Sequence, residues 1–282
     1  MQMMKVFALM TGLTVVLVVA GDYLGGPSMA LGMLVFAIVM NVGAYWFSDR
    51  AVLKMYRAKV IGPDDAPELY TMVDRLRSEA NLPMPTIAIA PSEQPNAFAT
   101  GRNQNHAVVC VTSGILQLIS ARELEGVIAH ELAHIKHRHM LVGTVAATVA
   151  GAIAMLATFA KWGLFIGRGR RSNGGGNLIV MIAMMIIAPM AAMIIQMMIS
   201  RSNEFQADAT AARITSDPVG LASALQKIEG YARKIPMEVN PAAAQLAIIN
   251  PLAGSAGDTM SRFFSTHPPT EKRVAKLRGM RI

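Results

Sequence analysis

Four apolar segments, each near the length a bilayer demands, constrain this chain more than any other feature. They run from Val6 to Leu24, Met29 to Phe47, Met140 to Ala160 and Leu178 to Ile199. A helix needs about 20 apolar residues to cross the hydrocarbon core. Composition agrees: 53% of the chain is hydrophobic and only 16% is charged, against about 25% charged in an ordinary soluble domain. Part of the chain is therefore expected to face lipid.

The first segment follows Lys5, and the "VVA" before Gly21 resembles a signal-peptide processing site. A second apolar segment begins after a short turn, which favours an uncleaved hairpin. The turn "GDYLGGPS" has no Lys or Arg, whereas "DRAVLKMYRAK" after the second segment has four. The positive-inside rule then puts residues 50–139 in the cytoplasm. The link "KWGLFIGRGRRSNGGGN" carries Lys161, Arg168, Arg170 and Arg171, yet counting places it outside. Either the last two segments insert despite that charge or they form a hairpin that does not fully cross. Both options return the chain to the side it left. The net charge of +8 comes with no nucleic-acid motif, so anionic lipid head groups are the expected partner. The single Cys110 excludes an internal disulfide framework and suits a reducing compartment.

Between the hydrophobic hairpins the sequence reads as α+β. "DDAPELYTMVDRLRSEANL" has helical periodicity, with Asn81 and Pro83 as stop signals. "TIAIA" and "HAVVCV" read as strands, and "RNQN" between "NAFATG" and "HAVVCV" as a hairpin turn. Ser120 and Glu123 form a capping box that starts a helix at Ala121, expected to continue through a bend into the third apolar segment. Beyond the fourth segment, "SRSNEFQADATAARI" is a small-residue helix. A second helix is capped by Asp217 with Pro218 in its first turn, and a third begins at Thr270.

The helix begun at Ala121 carries "HELAHIKHRH". At about 100° per residue His130 and His134 lie roughly 40° apart, one turn above each other, while His137 is about 10 Å from His130 along the axis. Zinc–nitrogen bonds of about 2.0–2.1 Å exclude that last pair. His130/His134 and His134/His137 both survive geometrically. Glu131 favours the first pair, because H-E-x-x-H places a carboxylate where it can take a proton from an activated water. His137 and His139, with Lys136 and Arg138, are expected to form a basic collar at the lipid head groups.

A hydrolytic zinc site needs a third protein ligand. A histidine six residues after His134 is excluded, because Met140 stands there, and the motif lies outside the apolar spans. The remaining arrangement is a glutamate on another helix with an aspartate four residues later. "NEFQAD" supplies Glu204 as ligand and Asp208 as the acceptor of a ligand imidazole's far N–H. Two apolar segments separate His134 from Glu204, so both lie on one side.

Taken together, "HELAH", "SRSNEFQAD", "NAFATG" and "STHPPTEKR" resemble the HtpX family of membrane zinc metalloproteases, bacterial relatives of the CAAX prenyl endopeptidases. The match spans nearly the whole chain in order, with no departure at the motif residues. The resemblance implies a mainly α membrane protein with a cytoplasmic, zincin-like (gluzincin) α+β protease domain containing a small sheet. The parts are a transmembrane hairpin (1–48), a first protease part with the HExxH helix (49–139), a second hydrophobic hairpin (140–199) and a second protease part (200–282). It also implies a multi-pass protein of the bacterial inner membrane, with one Zn2+ per chain. Misfolded or damaged membrane and membrane-adjacent polypeptides would be its substrates under stress. His267, before Pro268 and Pro269, is the candidate oxyanion donor, with a plain helix-capping role as the alternative. Asn96, Ala97, Phe98 and Ala99 would pair with extended substrate, or simply form a hairpin strand.

The competing reading is a membrane scaffold or chaperone-like binder with a vestigial zinc site. Glu131 argues against it, since metal affinity alone would not demand a carboxylate there. A specific prenyl-peptide endopeptidase ranks lower, because four spans are few for a large membrane chamber.

Overall fold

A computed structural model describes residues 2–141, 201–232 and 268–282. The chain divides into two compact units, one containing residues 3–44 and 142–198, the other residues 45–141 and 199–282. In the first unit the described residues belong to helix α1 (Gln2–Met55), which is broken at Gly25 and Gly26 ahead of Pro27. Gly26 has φ 71°, a left-handed value that a residue with a Cβ adopts only at a cost. The break folds α1 into a hairpin. Leu13 and Leu17 pack against Ala37, Met33 and Phe36, and the Asn41 amide donates to Thr14 Oγ1 at 3.2 Å. Phe7, Val15, Val19, Leu31, Val35, Ile38 and Val39 point outward and are exposed. The stretch Gly25–Phe47, 23 residues with mean hydropathy 1.8, is long and apolar enough to cross a bilayer, whereas the apolar helix Val6–Asp22 is shorter. Among the described residues only that one stretch has the length of a span. The expected third and fourth segments lie, apart from Met140 and Leu141, outside the described residues.

The second unit is built on a four-stranded mixed sheet of order β1-β2-β4-β3. Its strands are β1 (Lys59–Ile61), β2 (Thr86–Ala90), β3 (Ala97–Gly101) and β4 (Ala107–Thr112). The β2/β4 pair is parallel, and β1/β2 and β3/β4 are antiparallel. Strand periodicity sorts the residues between two faces. Ile87, Ala97, Ala99, Ala107, Val109 and Val111 join the main core. Ala88, Ala90, Phe98, Val108 and Cys110 meet Val52, Leu53 and Tyr56 from the end of α1.

Helices cover the main face: α2 (Pro67–Glu79), α3 (Ser113–Leu118), α4 (Ala121–Lys136), α5 (201–215), α6 (Pro218–Ala232) and α7 (Thr270–Arg278). The expected capping box opens α4, with Ser120 and Glu123 bonded reciprocally. Asp217 Oδ1 accepts the Gly220 N–H at 3.1 Å in the first turn of α6, and Asp217 also pairs with Arg122 of α4. A Cβ on Gly126 would stand 2.7 Å from the Leu221 nitrogen, so glycine permits the close crossing of α4 and α6. Glu123 ties the same two helices, accepting from Ser223 Oγ at 2.6 Å and Lys227 Nζ at 2.8 Å. The short strand β1 and the six-residue α3 were not anticipated from the sequence; neither carries enough residues for a periodic signal.

Candidate functional site

Helices α4 and α5 bring the site together. His130 and His134 occupy successive turns of α4, and Glu204 enters from α5, over an interval of seventy residues (204 − 134 = 70). The two Nε2 atoms are 3.0 Å apart. Glu204 Oε2 is 3.5 Å from His130 Nε2, and its Oε1 is 3.3 Å from His134 Nε2. Ligand atoms held tetrahedrally by bonds of about 2.0–2.1 Å are separated by about 3.3 Å, so this triangle has the size zinc requires. The donor set of two imidazoles and a carboxylate suits a divalent transition metal such as zinc.

The carboxylates make the same demand. Glu131, Glu204 and Asp208 are buried here, and Arg273 is the buried guanidinium among them. Buried carboxyl groups outnumber the buried guanidinium here, which favours a cation among them. Burial would depress the His130 imidazole, but Asp208 and Glu204 overcome it and lift its pKa to about 9. The site thus draws a cation to that position.

Asp208 stands where its spacing from Glu204 placed it. Its Oδ1 lies 3.0 Å from His130 Nδ1, a contact that favours the hydrogen on Nδ1 and leaves the Nε2 lone pair for a metal. Burial opposes ionisation of Asp208, yet Arg273 and His130 hold its pKa at about 2. Glu131 lies in the buried interior of α4. Desolvation raises its pKa, against the pull of His130 and His134 and a hydrogen bond from the Ala99 amide of β3. A carboxyl lifted toward neutrality, beside the metal position, suits proton transfer.

Strand β3 forms the sheet edge next to α4. The Asn96 N–H donates to Thr112 Oγ1 at 2.9 Å, and the Asn96 carbonyl accepts from the Thr112 N–H at 3.0 Å. Antiparallel alternation then turns the Ala97 and Ala99 amides outward, and the Ala99 amide reaches Glu131. The Asn96 side chain bonds the Tyr56 hydroxyl. Phe98 points to the opposite sheet face, against Tyr56. His267 lies outside the described residues.

Two residues of the site escaped the sequence reading. Arg273 of α7 is 1% exposed. It grips Asp208 with Nε–Oδ2 at 2.8 Å and Nη2–Oδ1 at 2.7 Å, and its Nη1 is 3.2 Å from Glu204 Oε2. In the sequence it stands among Lys272, Lys276 and Arg278, and the signal that sets it apart is its place on the stripe of Thr270, Val274 and Leu277. His139 was expected in a basic collar at the head groups, and that expectation is corrected. The collar followed from a helix bending on into the third apolar segment, but α4 ends at Lys136, and Arg138 takes a left-handed φ of 58°. The reversal buries His139 against His134, Nδ1 to Nδ1 at 3.2 Å. Burial drives its pKa down to about 3, so its imidazole is neutral. His137, half-buried, meets Thr210 Oγ1 at 2.9 Å.

The sequence pattern of Peptidase family M48 matches residues 63–281. A "Protease HtpX homolog" of Desulforapulum autotrophicum is 53% identical over 96% of this chain and 87% of the relative. One of Gemmatimonas aurantiaca is 54% identical over 99% of both, and one of Pelotomaculum thermopropionicum is 49% identical over the full length of both. The fold resembles the crystal structure of S. mikatae Ste24p with TM-score 0.56 at 19% identity, over 98% of this chain and 65% of that one. With relatives at this identity over its length, the chain belongs to peptidase family M48 and is a metalloendopeptidase.

Proposed function

We propose that this membrane metalloprotease holds one zinc ion through His130, His134 and Glu204 and cuts polypeptides beside the cytoplasmic face of the bacterial inner membrane. The observation that carries the reading is the convergence of those three donors beside the buried carboxyl of Glu131. When bound, the metal supplies Lewis acidity toward water and the scissile carbonyl. Glu131 accepts the proton of the attacking water and returns it to the amine as the C–N bond breaks. Asp208 holds His130 in the ligating tautomer, and Arg273 holds Asp208. The outward Ala97 amide and the outward carbonyls of Ala97 and Ala99 offer an extended substrate main-chain partners independent of sequence, with Asn96, tied to Thr112 and Tyr56, fixing the start of the strand. His267 is the proposed oxyanion donor. The segment it opens supports this, because six residues later Arg273 enters the site.

Four membrane segments and a divided, gluzincin-like protease domain complete the reading, with boundaries at 1–48, 49–139, 140–199 and 200–282. Support comes from the apolar exterior of the α1 hairpin and from the basic residues after it, which suit anionic head groups. The substrates are misfolded or damaged membrane and membrane-adjacent proteins, consistent with relatives named as HtpX homologues. Incubating the detergent-purified chain with casein tests the activity. The reading requires internal cleavage that stops with a chelator and returns with zinc. Intact casein under all conditions would refute it.

A further inference from the structure

We propose that His139 is a positioning residue for His134, fixing its ligating tautomer through a one-way hydrogen-bond chain that continues to Gln206, His137 and Thr210. This rests on the zinc-ligand reading and deepens it.

The argument is directional. A neutral imidazole has one N–H donor and one lone-pair acceptor. Gln206 Oε1, 3.1 Å from His139 Nε2, can only accept, so that nitrogen carries the hydrogen. His139 Nδ1 is then an acceptor, facing His134 Nδ1 at 3.2 Å. His134 must place its hydrogen there, which frees its Nε2 lone pair toward His130 Nε2 and Glu204. At the other end Gln206 Nε2 donates to His137 Nδ1 at 3.4 Å. His137 Nε2 accordingly donates to Thr210 Oγ1 at 2.9 Å. His134 donates at one end and Thr210 accepts at the other, and His139, Gln206 and His137 each do both, without conflict.

Reversing the Gln206 amide reverses the chain. Its NH2 would face His139 Nε2, His139 Nδ1–H would point at His134, and the His134 hydrogen would move to Nε2 and block ligation. The two histidine ligands are thus oriented by different means: a carboxylate, Asp208, on His130, and a neutral chain on His134. The left-handed turn at Arg138 places His139 for this. A buried imidazole in such a position needs a partner, and His134 is that partner.

Zinc affinity of the full-length protein in detergent, stripped and retitrated against a chromophoric chelator, reads the proposal without turnover. His139→Asn sets a side-chain oxygen near the place of Nδ1 and retains affinity within about threefold, whereas His139→Leu fills the space without an acceptor and loses about 10–100-fold. Parent-like binding by His139→Leu, or equal losses in both variants, overturns the proposal. Gln206 is exposed, so its variants decide the matter should His139→Leu lose its unfolding transition. Gln206→Glu keeps the acceptor and binds like the parent; Gln206→Leu binds more weakly, and equality of these two overturns the proposal. Glu204→Ala is the control for the ligand reading. Zinc retained there would show that the ligand set is wrong, and the proposal would fall with it.

Discussion

Arg273 and Asp208 form a two-pronged ion pair in the interior of the protease unit, Nη2 to Oδ1 at 2.7 Å and Nε to Oδ2 at 2.8 Å. The carboxylate passes the constraint to His130 Nδ1. A residue of the last helix therefore orients the His130 imidazole on α4 through a residue of α5. Charge pairing makes the tie stiff: despite burial, Asp208 and Glu204 keep Arg273 more firmly protonated than a free arginine.

Removing one partner of a buried pair strands the other charge. Arg273→Met is expected to destabilise the protease unit by about 3–5 kcal/mol, read by urea unfolding in detergent. Arg273→Lys should recover only part of this, because an ammonium cannot reproduce both prongs. Parent-like stability in Arg273→Met would show that the pair contributes nothing.

The ligand set predicts an order of zinc retention. Glu204→Ala should lose most bound metal, while His137→Ala, at the far end of the hydrogen-bond chain, should keep most of it. Metal content by mass spectrometry after desalting checks this. The reverse order would move the site to the His134/His137 pair.

Glu123 gives the fold an acid-sensitive clamp. Burial opposes its ionisation, but Lys227, Ser223 and Ser120 bring its pKa from the ordinary 4.5 down to about 2. A lowered pKa contributes stability that is complete above the ordinary value and lost as pH falls through the folded value. Melting temperature should therefore decline between about pH 4.5 and pH 2. Glu123→Gln should be less stable at pH 7 and flatter across that window. Parallel curves would assign the acid sensitivity elsewhere.

Arg138 holds φ 58°, a conformation costing an L-residue about 1–2 kcal/mol. Gly adopts it freely but loses more chain entropy on folding, about 0.5–1 kcal/mol. Arg138→Gly should be neutral or more stable by up to about 1 kcal/mol, and Arg138→Val clearly less stable, in thermal melts. A large loss in Arg138→Gly would mean that the arginine side chain matters more than the turn.

Local signals carried much of this fold in the sequence. Ser120 with Glu123, Asp217 with Pro218 and the "RNQN" turn each concern residues a few positions apart, and each is found where the spacing put it. The histidine pair and the Glu204–Asp208 spacing were legible for the same reason, since helical periodicity fixes which side chains share a face. Arg273 and His139 were not. Arg273 shares the face of Thr270, Val274 and Leu277, but its burial against Asp208 depends on where α7 docks. His139 was misplaced because α4 ends at a left-handed residue that is neither Gly nor Asn, so no stop signal was present. Three-residue β1 gave no alternation to read.

The central claim is that Glu131 acts as base on water beside a zinc ion held by its neighbours. Zinc content and casein hydrolysis measured together on Glu131→Gln test it most directly. The account predicts a full complement of one zinc per chain, with hydrolysis reduced about 10²–10⁴-fold or more. A zinc-loaded Glu131→Gln enzyme that cleaves casein at the parent's rate would contradict it.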